Sequence, residues 1–178
     1  TATGTIVDDD GAPNSASVEP GAPGAADDAV PEGTDLVYTV TLTNPSTTPT
    51  TVTLAPASGT ATLGTDTSPA LVSFDGGLTF VPVVGTTVSV PAGATSFIVR
   101  VPTVNDTTGE PTEAMTLGAS TPANAAPVVG TGTITDNDTP VVSISGPVTY
   151  NEAAGTATYT ITLSNPATTP VSVNVATA

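Results

Sequence analysis

Apolar and polar positions alternate along much of the chain. Tyr38, Val40 and Leu42 fall on one face of an extended segment, and Val37, Thr39, Thr41 and Thr43 fall on the other. A period of two predicts a half-buried strand. The same reading predicts strands at 51–54, 70–74, 86–90, 96–102, 114–119 and 130–135. Turn-forming residues separate them: Asn44-Pro45, Asp75-Gly76-Gly77, Pro91-Ala92-Gly93 and Thr108-Gly109. No stretch carries the 3.6-residue period of an amphipathic helix. Seven or eight short strands in about 125 residues predict an all-β, two-sheet sandwich.

Two stretches recur. Gly4-Thr5-Ile6-Val7-Asp8-Asp9-Asp10 returns as Gly132-Thr133-Ile134-Thr135-Asp136-Asn137-Asp138, and the eight residues from Tyr38 to Pro45 return from Tyr159 to Pro166. Glu32 and Glu152 precede the two copies of the second stretch. Recurrence at this spacing predicts tandem repeats. Residues 1–10 are then the last strand of one repeat, 11–138 a complete repeat, and 139–178 the start of the next. The offsets of the two pairs differ, which places an insertion within 11–31, a stretch rich in Gly, Ala and Pro. Forty residues with about three strands cannot bury both faces of a sandwich. The last segment is therefore expected to be poorly ordered or to pack against another chain.

Composition narrows the chemistry. There are 16 acidic residues, one basic residue (Arg100), no His and no Cys, for a net charge of −15. Nucleic acid is excluded as a partner because phosphate contacts need Lys and Arg, and anionic membrane surfaces are excluded likewise. Thiol nucleophiles, disulfides, zinc sites and imidazole bases are absent, and the chain reads as no enzyme. Direct membrane insertion is not expected, since no apolar run approaches bilayer length. Thr1 does not open a signal peptide, so the chain reads as a soluble excerpt whose targeting or anchoring segments lie outside it. Thr-rich strands follow from β propensity and not from an ice-binding face. Paired carboxylates lack the aromatic platforms of a glycoside hydrolase.

The acids gather in loops at strand ends: Glu32, Asp66, Asp106, Glu110, Glu113, Asp136 and Asp138. Two carboxylates about 4 Å apart repel by roughly 4 kcal/mol at an effective dielectric near 20, and a single Arg cannot relieve several such pairs. If the loops meet, they either take up protons or hold a hard cation. Ca2+ is the natural occupant, because it accepts six to eight oxygens with loose geometry.

The order Glu32-Gly33, then Gly59-Thr60-Ala61-Thr62 leading to Asp66, then Asn105-Asp106 with Glu110 and Glu113, then Asp136-Asn137-Asp138 resembles the Calx-beta repeat. The resemblance covers 17–138 and restarts at 139. It implies an immunoglobulin-like antiparallel sandwich with Ca2+ ligands at one end: Glu32, Asp66, Asp106, Glu110, Glu113, Asp136 and Asp138. By recurrence Asp8, Asp10 and Glu152 join the set. Thr67 stands where the family commonly has an aromatic, Asn105 replaces an acid, and 75–85 is extra. The longer form, with Phe74-Asp75-Gly76-Gly77 and Val90-Pro91-Ala92-Gly93, is similar to repeats of giant bacterial adhesins, including those with RTX-type secretion signals. The resemblance implies an extracellular extender repeat at the bacterial surface. Its partners are calcium and neighbouring repeats of the same chain, and it projects a distal domain toward a host or surface ligand. The competing readings are a carbohydrate- or protein-binding module, with 11–31 and 75–85 as its loops, and a calcium-sensing regulatory module.

Overall fold

The computed structural model describes residues 3–5, 11–20 and 29–176. Among these lie twelve strands: β1 (Ser15–Pro20), β2 (Ala29–Pro31), β3 (Asp35–Leu42), β4 (Thr50–Ser58), β5 (Leu71–Ser73), β6 (Val81–Pro82), β7 (Thr87–Val90), β8 (Ser96–Pro102), β9 (Glu113–Ser120), β10 (Val128–Thr135), β11 (Val142–Ser145) and β12 (Thr160–Leu163). One 3-10 turn spans Glu152–Ala154. Two five-stranded sheets run β1-β3-β8-β5-β6 and β2-β10-β9-β4-β7, and β11 pairs with β12 apart from them. Every pairing is antiparallel except β2 with β10. The architecture is an all-β sandwich. Among the described residues no helix is long and apolar enough to cross a membrane.

Alternation decides which side chains meet. In β3 every second residue is buried, Leu36, Tyr38, Val40 and Leu42, and β8 answers with Phe97, Val99 and Val101. The opposite sheet contributes Val52, Leu54, Met115, Leu117, Ala119 and Ile134. β-branched and branched-chain residues dominate, and they fit a pleated half-buried surface. All buried apolar side chains among the described residues lie between Val18 and Ile134. Among the described residues, the sandwich thus closes its core without any beyond Ile134.

Three strands of the two five-stranded sheets escaped the alternation rule. β1 offers only Val18 to the core among its described side chains, so its sequence carries no periodic signal. β2 is three residues long and is held by parallel pairing with β10, a tertiary contact invisible in the local pattern. β6 is a two-residue edge strand ending in Pro82, where a missing N–H costs nothing. The extra segment 75–85 folds back on its own sheet. Arg100 lies 4.2 Å from the Phe80 ring centroid and 3.2 Å from the Asp35 carboxylate, so the chain's one basic side chain is engaged there.

From Thr139 onward no described residue is buried. Val142 pairs with Leu163 and Ile144 with Ile161, which places four apolar side chains on one face of the β11–β12 pair. All four are exposed.

Candidate metal centre

The topology brings one end of each relevant strand to a common place. Glu32 follows β2 directly, and its N–H donates to the Thr135 carbonyl at 3.0 Å, continuing the parallel ladder past the end of β10. Asp136 and Asp138 follow β10. Asp106 follows β8, Glu110 precedes β9 and Glu113 opens it. Asp66 sits in the β4–β5 connection, where its carboxylate accepts the Thr62 N–H at 2.6 Å and its carbonyl accepts the Val104 N–H at 2.9 Å. Asp106 makes an Asx turn, accepting the Thr108 N–H at 2.6 Å.

Six of the expected ligands form two triads. Glu32, Asp136 and Asp138 each place a carboxylate oxygen within 4.8 Å of the others, and so do Asp66, Glu110 and Glu113. Asp106 reaches both: its N–H approaches Glu32 at 3.4 Å, and its charge acts on Glu110. A single cleft is lined by Glu32, Asp66, Asp106, Glu110, Glu113 and Asp136. Glu152 belongs to neither triad; it lies exposed in the 3-10 turn Glu152–Ala154. Asp8 and Asp10 lie outside the described residues, as do 1–2 and 6–10 of the strand expected at 1–10.

Electrostatics records the crowding. Glu32 is buried, and burial raises its carboxyl, with the hydrogen bond and negative charge of Asp138 adding to the effect. Burial pushes the Glu113 carboxyl up to about 7, reinforced by the charge and hydrogen bond of Asp66 and by Glu110. Burial also raises Glu110, followed by the charges of Asp106, Asp66 and Asp136. Weak backbone donors oppose this at Glu32, where the Asn137 and Asp106 N–H groups each approach at 3.4 Å. The Oδ2 atom of Asp138 is buried and has no hydrogen-bond partner among the described residues. A buried carboxylate oxygen without a donor costs free energy, and a cation would satisfy it.

The donor set fits a hard divalent cation. Carboxylate oxygens are the preferred ligands of Ca2+ at 2.3–2.6 Å, so oxygens on opposite sides of the ion stand up to about 5 Å apart. Both triads meet that limit. Glu32, Asp136 and Asp138 would hold one ion and Asp66, Glu110 and Glu113 a second.

Sequence reasoning missed the struts around the ligands. The Asn137 amide donates to the Glu32 carbonyl at 3.2 Å and to Asn105 Oδ1 at 3.0 Å. It also missed the contact with the segment beyond Asp138. The Gly109 N–H donates to the Pro166 carbonyl at 2.8 Å, the Thr168 N–H donates to the Gly109 carbonyl at 3.0 Å, and the Asn165 amide donates to the Asp138 carbonyl. The recurring Asn-Pro dipeptide was the available signal for this contact.

No protein-family model matches the chain, and no curated protein matches it. Solved structures do. CBD12 from CALX1.2 aligns over 62% of this chain and 42% of its own length, at 21% identity and a TM-score of 0.46. The apo-form Calx CBD1 domain aligns over 59% of this chain and 84% of its own, at 22% identity and a TM-score of 0.44. Calcium binding domain CBD12 of CALX1.1 aligns over 78% and 67%, at 16% identity and a TM-score of 0.47. The chain spans less than half the length of the first of these.

Proposed function

We propose that this chain is a calcium-binding extender of a bacterial surface adhesin, built of tandem β-sandwich repeats and working outside the cell. Residues 11–138 are one complete repeat, 1–10 end the repeat before it and 139–178 begin the next. The observation that carries the calcium reading is the pair of carboxylate triads, five of whose six residues line one acidic cleft. The chain's one cation is engaged elsewhere, by Asp35 and Phe80. Left without a metal, the triads hold carboxyls with raised proton affinity and a buried oxygen lacking a donor.

Position supports the structural role. The loop carrying Asp106 and Glu110 also carries Gly109, which bonds to Pro166 and Thr168 of the next segment. Asp138 supplies both a carboxylate to one triad and a carbonyl to Asn165. Ions that fix these loops fix the junction to the next repeat. Extracellular calcium modules bind at about 10⁻⁴ to 10⁻³ M, so the sites fill after secretion and remain empty in the cytosol. Adhesion itself belongs to a distal domain that recognises a host or surface ligand.

Calorimetric titration of the chelator-stripped chain tests the reading. Two or more calcium ions are expected to bind, with a rise in melting temperature. No binding heat and an unchanged melting temperature at about 5 mM calcium, well above that affinity range, would sink it.

A further inference from the structure

The contact between Gly109 and the segment 165–168 is a small, defined seat. Gly109 forms a parallel bridge with Ala167, bonded on one side to the Pro166 carbonyl and on the other to the Thr168 N–H. The glycine is buried. A Cβ there would fall 2.6 Å from Pro140 Cδ and 3.1 Å from the Asp138 carbonyl oxygen, so only glycine fits. The Asn165 amide holds the floor of the seat by bonding to that same carbonyl.

The N-terminal end of the sandwich repeats this construction without an occupant among the described residues. Asn44 takes the place of Asn165, and its amide donates to the Gly11 carbonyl at 3.0 Å. The Thr43 N–H donates to the Asn14 carbonyl at 2.9 Å, as the Ser164 N–H donates to the Val141 carbonyl at 2.9 Å. Pro13 therefore stands where Pro140 stands, and its carbonyl is fixed by the Thr121 hydroxyl at 2.6 Å. Pro45 and Thr47 correspond to Pro166 and Thr168. The Pro45 carbonyl and the Thr47 N–H have no partner among the described residues, although their neighbours Ser46 and Thr48 do.

We infer that the Pro13–Pro45–Thr47 seat is a docking surface for a glycine-bearing acidic loop of a preceding repeat, of the Thr108-Gly109-Glu110 type. The backbone pair that holds Gly109 at one end is presented, with the same prolines and the same asparagine clamp, at the other. Docking is head to tail, so each repeat offers the loop at one end and the seat at the other. The inference rests on the tandem-repeat reading above but needs no metal.

The test replaces residues 1–10 with a second copy of 11–138, so that the added Asp138 leads into Gly11. Amide exchange is followed at Thr47, with Thr168 and Leu117 as references in the same chain. In the original chain Thr47 is expected to exchange freely and Thr168 to be protected. In the extended chain Thr47 is expected to slow by about tenfold or more, toward the Thr168 rate. Gly109→Ala in the added copy alone should abolish that protection. If the added copy folds, shown by protection of its Leu117, and Thr47 still exchanges freely, the docking surface is wrong and the repeat reading survives. If the added copy does not fold, both fall together.

Discussion

Glu113 lies within hydrogen-bond reach of Asp66, and its carboxyl titrates near 7 because burial and two neighbouring carboxylates disfavour its charge. Glu32 and Glu110 are shifted upward as well. A carboxyl whose folded pKa exceeds its unfolded value favours the protonated fold. That contribution is complete below the unfolded pKa, near 4.5, and disappears as pH rises through about 7. In chelator, stability should therefore fall between pH 4.5 and 7, as read by urea midpoints across that range. Saturating calcium should flatten or invert the slope, because the ion replaces the proton as the source of positive charge. A second test belongs to Asp138. Asp138→Asn removes one charge beside Glu32 and gives its buried oxygen position a neutral amide. Without calcium this variant should be more stable by about 1 kcal/mol, since partial exposure screens the larger bare repulsion. With calcium it should gain less than the parent, because a ligand is lost. Thermal melts of both proteins with and without calcium separate these opposite signs. A variant equally destabilised in both conditions would show that Asp138 is only structural.

At the scale of the strand, β10 crosses β3 where Gly132 faces Tyr38. A Cβ on Gly132 would fall 2.5 Å from the Tyr38 hydroxyl oxygen and 2.7 Å from Leu36 Cδ2. The tyrosine is fully buried, and burial pushes its hydroxyl pKa up to about 12. Gly132→Ala should cost about 1–3 kcal/mol through overpacking, measured as a lower denaturant midpoint with an unchanged slope. This pair also shows what the sequence could reveal. Tyr38 and Gly132 each belong to a recurring stretch, so their importance was visible, but their contact was not. The main strands were legible because alternating burial leaves its period in the residues of β3, β8 and β10. β1 and β2 were not, because they are held by partners distant in sequence. The ligand set was visible as acids at strand ends. Its division into two triads depends on which strand ends meet, a matter of sheet order and not of spacing. Glu152 shows the reverse limit. It stands before Tyr159 as Glu32 stands before Tyr38, yet among the described residues it has no neighbouring strand of the kind that gives Glu32 its setting.

For the molecule as a whole, the β11–β12 pair matches β1 and β3 in register: Ile144 faces Ile161 as Val18 faces Val40. The exposed Val173 and Val175 match the buried Val52 and Leu54 in sequence. The segment from Thr139 onward thus carries the same apolar pattern as β1, β3 and β4, and it meets the sandwich through Gly109. An ion at ten times its dissociation constant adds about 1.4 kcal/mol by linkage. Two filled sites should accordingly raise the melting temperature by about 5–10 °C. On the proposed extender reading, stabilising a repeat and aligning it with its neighbour are separate effects, and Thr168→Pro separates them. Proline removes the N–H that bonds to the Gly109 carbonyl, while every carboxylate of the triads stays in place. The variant should bind calcium and gain the same melting increment as the parent. It should lose the calcium-dependent change in maximum dimension read by solution scattering. If that change persists at full size in Thr168→Pro, the junction is not stiffened through this bond, and the ions act on the sandwich alone.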